Sequence, residues 1–276
     1  MMDVSFATTA ASSDRDNEDF FGAGPRVAVL LDGAGTPAGA DDGCSHGVPW
    51  FARQLGFRCL AGAGTNEDLS LKDVLGQAIE EVARLHAGTC DLAHPGSPSS
   101  TVILIRQKSN VLEYLVLADS VLIVSGDAGT TAITDDREAT FADRHRPPLD
   151  VLGEAGERHD GAVKTFVETL RDYRNHEGGF WVASADSAAA GQSLTGHFKS
   201  EDAKVVALLS DGASRPVDRF GLATWEQAVT ELQSEGPGEW LRTVRRAELD
   251  DSHAHRWPRT KVHDDATAAI AIPNWS

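Results

Sequence analysis

Val27-Ala28-Val29-Leu30-Leu31-Asp32-Gly33 is the stretch from which the fold can be read. A run of consecutive aliphatic residues, without polar alternation, predicts a short strand buried on both faces. Asp32-Gly33 ends it, because Asp bonds nearby backbone and Gly accepts positive φ. The pattern recurs at Val205–Leu209, followed by Ser210-Asp211-Gly212. Thr101–Ile105, Val111–Leu117 and Val121–Val124 form a block of strands. Their links are too short for a parallel crossover, which predicts antiparallel neighbours. Phe180–Ala183 and Thr267–Ile272 are further strand candidates.

Helices are read from apolar residues at 3.6-residue spacing. Leu71, Val74, Leu75, Ala78, Ile79, Val82 and Leu85 mark one, with Ser70 as its N-cap. Val163, Phe166, Val167, Leu170 and Tyr173 mark a second; Trp225, Val229 and Leu232 a third; and a fourth starts at Pro237 with Trp240, Leu241 and Val244. Gly191–Ser200 reads as a loop or lid, and Arg146–Gly156, containing Pro147-Pro148, as a surface loop. Strands in blocks and helices in pairs predict an α+β fold, with antiparallel sheets covered by helices, over a doubly wound parallel one. No linker divides residues 1–276, which read as a single domain.

With 25 Lys+Arg against 42 Asp+Glu, the formal net charge is -17, which argues against a nucleic-acid partner because phosphate backbones are held by cations. Clustered carboxylates that hold cations would also produce such an excess. The longest aliphatic runs fall far short of the roughly 20 residues of a membrane span. Met1–Ala11 lacks a basic stretch ahead of an apolar core, so no signal peptide is expected and the expected location is cytoplasmic. Cys44, Cys59 and Cys90 are widely spaced and form no Cys-x-x-Cys pair for zinc. The simple reading is a reduced compartment. A chain of this length needs neither disulfide nor zinc staple to bury its core.

The acidic residues concentrate at strand ends. Asp32 follows Val27–Leu31, Asp119 follows Val111–Leu117, and Asp211 follows Val205–Leu209. Asp264-Asp265 precedes Thr267–Ile272, and Asn17-Glu18-Asp19 precedes Phe20-Phe21. Each alone is explained by turn chemistry or solvation. Together they offer the oxygen ligands that hard divalent cations require.

Their order resembles the metal-dependent protein serine/threonine phosphatases of the protein phosphatase 2C family. Asn17-Glu18-Asp19 resembles the opening Asn-Glu-Asp motif, Leu30-Leu31-Asp32-Gly33 the first Asp-Gly motif, and Ser100-Thr101 the Gly-Ser-Thr element. Ala118-Asp119-Ser120 resembles Gly-Asp-Ser, Ser210-Asp211-Gly212 matches Ser-Asp-Gly, and Asp264-Asp265-Ala266-Thr267 resembles Asp-Asn-x-Thr. The resemblance implies a four-layer αββα sandwich, two antiparallel sheets flanked by helix pairs. It also implies hydrolysis of phosphoserine or phosphothreonine in proteins, including substrates of a serine/threonine kinase, by a hydroxide bridging two Mn2+ or Mg2+ ions. Asp32 would bridge the metals, the Gly33 carbonyl would bind one, and Asp211 and Asp264 would hold the other. Asp32 and Asp211 are thus the expected catalytic residues. Glu18 and Asp19 would order water, and Asp119 would help hold a third, weaker ion.

The sequence departs from that pattern in four places. Ala34 follows Asp32-Gly33 where the family has His or Met, which leaves the leaving-group acid unassigned. His46 could take that role or cap the following helix. Asp14 stands where the family has its phosphate-binding Arg, and Arg15, one residue on, is the candidate for that contact. Ala118 and Val121 replace Gly and Arg, and Asp265 replaces the closing Asn.

Two other readings fit individual features. Asp32-Gly33-Ala34-Gly35-Thr36 resembles the haloacid-dehalogenase nucleophile motif, but Ala34 stands where its acid/base carboxylate belongs. The absent Arg and altered Ala34–Asp42 segment suit a phosphatase-like domain that binds a partner or phosphoprotein without turnover.

Overall fold

The computed structural model describes residues 1–35, 42–145, 157–259 and 261–275, with the side chains of 157–164 left aside. The expected surface loop Arg146–Gly156 and most of the altered stretch after Gly35 lie outside the described residues.

β3 (Val27–Leu31) is buried along its whole length, and its alternation explains why. Val27, Val29 and Leu31 pack with Phe51, Leu55 and Cys59 of α1 (Val48–Thr65) and Val74, Leu75 and Ile79 of α2 (Leu71–His86). Ala28 and Leu30 point the other way, into a core shared with the second sheet. A strand between two apolar layers has no polar face, hence the unbroken aliphatic run. Ser70 caps α2, its side chain accepting from Asp73 N at 3.1 Å.

β3 belongs to an antiparallel sheet ordered β10-β7-β6-β3-β2, with β2 (Phe20–Ala23), β6 (Val102–Lys108), β7 (Val111–Leu117) and β10 (Leu194–Lys199). The second sheet runs β1-β12-β11-β8-β9, with β1 (Met2–Thr9), β8 (Val121–Gly126), β9 (Gly129–Ile133), β11 (Val205–Leu209) and β12 (Ala266–Pro273). Its pairings are also antiparallel. Leu122, Val124, Val206, Leu208, Ala269 and Ala271 face the first sheet. Val121, Ile123, Ala207 and Leu209 face α6 (Trp225–Ser234) and α7 (Pro237–Asp250), with Trp240 fully buried between. The result is four layers: helix pair, sheet, sheet, helix pair. Three shorter elements are β4 (Gly33–Ala34), paired with β5 (Ser99–Ser100), and α5 (Asp211–Asp218). Two helices, α3 (Arg137–His145) and α4 (Glu157–Asp172), stand beside one another.

Three expectations need correction. β7 and β8 are not neighbours, because the chain crosses between sheets at Ala118–Ser120, with Ala118 at a φ of 66°. Phe180–Ala183 makes only isolated bridges, Phe180 to Arg174 and Ala183 to Ser100, its side chains divided between a small satellite core (Phe180, Val182) and the core under α1 and α2 (Trp181, Ala183). Gly191–Ser200 is not a lid: Leu194–Lys199 forms edge strand β10 against β7, its mixed polarity being that of a strand exposed on one face. β1 and α1 went unread. β1 is an edge strand in which Met2, Val4 and Phe6 alternate with polar residues, and the apolar positions of α1 are interrupted by Gly and Arg.

The register decides where the carboxylates go. Leu31 lies opposite Phe20, Leu30 opposite Ile103, and Val102 opposite Leu117. In the other sheet Leu209 lies opposite Val121 and Ala268, and Thr9 opposite Ala266. The strand ends bearing Asp19, Asp32, Asp119, Asp211 and Asp264-Asp265 therefore fall at one end of both sheets.

Candidate active site

Asp32 leaves β3 held by its own backbone. Its N–H donates to Thr101 Oγ1 at 3.1 Å, and its carbonyl accepts from Thr101 N at 2.9 Å and Ser100 Oγ at 3.0 Å. Thr101 Oγ1 lies 2.6 Å from Ser120 Oγ. The buried Ser100, Thr101 and Ser120 hydroxyls thus fix the turn that presents the carboxylate. Asp32 Oδ2 accepts from Asp211 N at 3.1 Å, at the start of α5, where the helix N-terminus favours negative charge. Gly33 and Gly212 are sterically required. A Cβ on Gly33 would lie 2.5 Å from Glu18 O, and one on Gly212 2.0 Å from Asp265 O.

Both oxygens of Asp19 are buried without a hydrogen-bond partner. The Thr267 and Ser210 hydroxyls stand nearby and ease its charge. Each has a further partner: Thr267 Oγ1 lies 2.7 Å from Thr8 Oγ1, and Ser210 Oγ accepts from Thr267 N at 2.9 Å. Asp265 is fully used structurally, accepting from Ala11 N and Glu18 N at 2.7 Å each. Asp264 is ion-paired, Oδ2 to Arg215 at 3.0 Å and Oδ1 to Lys261 at 2.8 Å. Arg215 also bonds the wholly buried Glu248, which binds Arg245 at 2.6 Å and His263 Nδ1 at 2.8 Å.

The electrostatics are those of crowded anions. Burial, then the charges of Asp19, Asp211 and Asp119, push the Asp32 carboxyl well above its usual range. Burial and Glu138 do the same to Asp119, burial and Asp264 raise Asp211, and burial brings Asp19 up to about 7. A cation between these groups removes both the repulsion and the unmet hydrogen-bonding capacity of Asp19. The all-oxygen donor set and the glycines at closest approach fit Mg2+ or Mn2+.

The remaining expected residues are placed as follows. Glu18 is partly buried, its carboxyl raised chiefly by burial. Arg15 is exposed and reaches Glu18 at 3.6 Å. His46 belongs elsewhere: α1 is capped at Gly47, and His46 Nδ1 lies 3.3 Å from Cys90 Sγ with its ring stacked on Trp50. Sequence reading missed Glu138 on α3, raised to about 7 by burial and Asp211. It also missed Asp218, which accepts from Ser214 Oγ at 2.5 Å, and the two cations on Asp264. The acidic run Asp135-Asp136-Arg137-Glu138 just beyond β9 was the available signal for Glu138.

The model of the protein phosphatase 2C family matches residues 8–251. The chain belongs to that family, the metal-dependent serine/threonine phosphatases. The Mycobacterium tuberculosis serine/threonine phosphatase PstP/Ppp is 18% identical, covers 98% of each chain and superposes with a TM-score of 0.60. The PstP catalytic domain in complex with 2 manganese ions is 16% identical, with 98% of this chain and 97% of that one covered and a TM-score of 0.57. Stp1 from Staphylococcus aureus is 14% identical, with 99% and 96% covered and a TM-score of 0.58. These likenesses establish the αββα fold. No curated protein matches the sequence. Among the described residues no helix is long and apolar enough to cross a membrane.

Proposed function

We propose that residues 1–276 act as one phosphatase domain that hydrolyses phosphoserine and phosphothreonine in proteins phosphorylated by a serine/threonine kinase. The observation that carries this reading is the convergence of Asp19, Asp32, Asp119 and Asp211, with both Asp19 oxygens buried and partnerless. Asp32, Asp211 and the Gly33 carbonyl would hold two Mn2+ or Mg2+ ions, with Asp119, and Glu138 behind it, at a third. Bound divalent ions acidify water and neutralise charge on the phosphoryl oxygens.

The chain's own groups supply position and charge. The Ser100–Thr101–Ser120 hydroxyls keep Asp32 in place, and the α5 N-terminus steadies its charge. Arg215 and Lys261 orient Asp264, whose share in metal binding is reduced because each oxygen already meets a cation. Asp19 is therefore the better placed donor, in addition to the water-ordering role that it shares with Glu18. Arg15, exposed at the rim, is the candidate contact for substrate phosphate.

Phosphate release from a phosphothreonine peptide tests the reading. Mn2+-dependent release that falls at least about 100-fold in Asp32→Asn and Asp211→Asn is expected. Full activity in both variants would refute the assignment. A second reading, phosphoprotein binding without turnover, is favoured by the ion-paired state of Asp264. Mn2+ binding with no release from any phosphopeptide would select it.

A further inference from the structure

Away from the carboxylates, four side chains converge that none of the phosphatase chemistry uses. Cys44 and His46 lie on the segment leading into α1; His86 ends α2, and Cys90 follows it. Their ligand atoms all lie within 4.8 Å of one another. Cys44 Sγ is 3.4 Å from Cys90 Sγ, 3.6 Å from His86 Nδ1 and 3.8 Å from His46 Nδ1, and His46 Nδ1 is 3.3 Å from Cys90 Sγ.

We propose that Cys44, His46, His86 and Cys90 form a structural zinc site that ties the segment entering α1 to the end of α2. Zinc–sulfur bonds of about 2.3 Å and zinc–nitrogen bonds of about 2.0–2.1 Å, set tetrahedrally, place neighbouring ligand atoms about 3.3–3.8 Å apart. Four of the six pairs, at 3.3 to 3.8 Å, are near that spacing, and every pair lies within 4.8 Å. Two sulfurs and two imidazoles are a set that zinc favours over Mg2+ or Mn2+. Both sulfurs are free thiols.

The surroundings suit a thiolate–imidazole centre. Thr89 Oγ1 and Ser45 Oγ lie 3.6 and 3.8 Å from Cys90 Sγ, the outer hydrogen bonds that tune a metal-bound sulfur. His86 is 3% exposed, with its Nδ1 on the side of Cys44 Sγ. The Trp50 ring stands 4.3 Å from that of His46 and 5.1 Å from that of His86, an apolar wall on both imidazoles. Asp91 N donates to Gly43 O at 2.8 Å, so the two segments are already joined by backbone. On zinc binding the Cys44 and Cys90 thiols release their protons to solvent and both imidazoles bind neutral.

The test uses the full chain purified without chelator. About one zinc per chain by elemental analysis is expected, retained in Asp32→Asn and Asp211→Asn. Affinity should fall at least about 100-fold in Cys44→Ser and His86→Ala. Cobalt exchanged into the wild-type chain should show a thiolate-to-metal charge-transfer band. Such a band requires sulfur ligands, so it separates this site from the carboxylates even if a variant fails to fold. Absence of that band overturns the proposal, as does its survival when Cys44→Ser and Cys90→Ser are combined. So does a thiol count showing Cys44 and Cys90 joined as a disulfide in the freshly purified chain.

Discussion

Gly212 shows how narrowly the site is built. Its Cα faces the Asp265 carbonyl so closely that an added methyl carbon would sit 2.0 Å from that oxygen. The obstacle is backbone, and the same Asp265 holds Ala11 and Glu18 through its carboxylate. Gly212→Ala must therefore push α5, which begins with Asp211, away from the strand start that carries Asp264-Asp265. Overpacking of this kind costs about 1–3 kcal/mol. The variant should fold with a lowered melting temperature and lose at least about 10-fold in phosphatase activity, because small displacements of reacting groups are expensive. Wild-type turnover in Gly212→Ala would show that the spacing of Asp211 and Asp265 is not critical.

The helix pair on the second sheet acts on the site through Trp240. Its indole is fully buried in α7, and its Nε1 donates to the Ala213 carbonyl at 2.8 Å within the first turn of α5. Trp240→Phe keeps most of the apolar body and leaves that carbonyl short of a donor. A loss of about 1–3 kcal/mol in chemical denaturation follows, with a weaker apparent affinity for Mn2+ because α5 carries Asp211. Unchanged Mn2+ affinity in a destabilised variant would limit Trp240 to packing. Elements of this kind were legible in the sequence: Trp240, Leu241 and Val244 recur at helical spacing, and β3 and β11 are unbroken aliphatic runs. β1 was legible but went unread: Met2, Val4 and Phe6 alternate with Asp3 and Ser5, the period-2 pattern of a half-buried strand. β10 looked like a loop because Leu194–Lys199 is exposed or half-buried throughout and shows no clean apolar alternation. At the site, Asp32 and Asp211 were readable from Asp-Gly dipeptides at strand ends. Arg215 and Lys261 depend on contacts made only after folding, whereas Glu138 had a signal in the acidic run beyond β9. The Cys-x-His and His-x3-Cys spacings were present, but a search for Cys-x-x-Cys passes over them.

Across the whole molecule, the carboxylates set a pH dependence with a definite sign. Asp19 moves from 3.8 to about 7 on folding and Glu138 from 4.5 to about 7, while Asp32, Asp119 and Asp211 are also raised, in each case chiefly by burial. Between the unfolded and folded values the native chain holds protons that the unfolded chain has released. Stability is therefore greatest below the unfolded values and is lost as pH rises toward about 7. The formal net charge of -17 adds self-repulsion of the same sign. Protein freed of Mg2+ and Mn2+ should thus melt lower at pH 8 than at pH 5. A divalent ion that binds only the folded chain adds about 2.7 kcal/mol at a concentration 100 times its dissociation constant. At about 2–4 °C per kcal/mol for a domain approaching this size, Mn2+ should raise the pH 8 melting temperature by about 5–10 °C. Asp32→Asn separates local crowding from overall charge, because it removes one anion among 42 Asp+Glu but the one facing Asp19, Asp211 and Asp119. It should melt higher than wild type at pH 8 without metal, respond less to Mn2+, and show a shallower fall between pH 5 and 8. A metal-free wild type whose melting temperature is flat or rises over that interval would mean that these carboxylates do not strain the folded chain, and the case for a cation among them would lose its electrostatic basis.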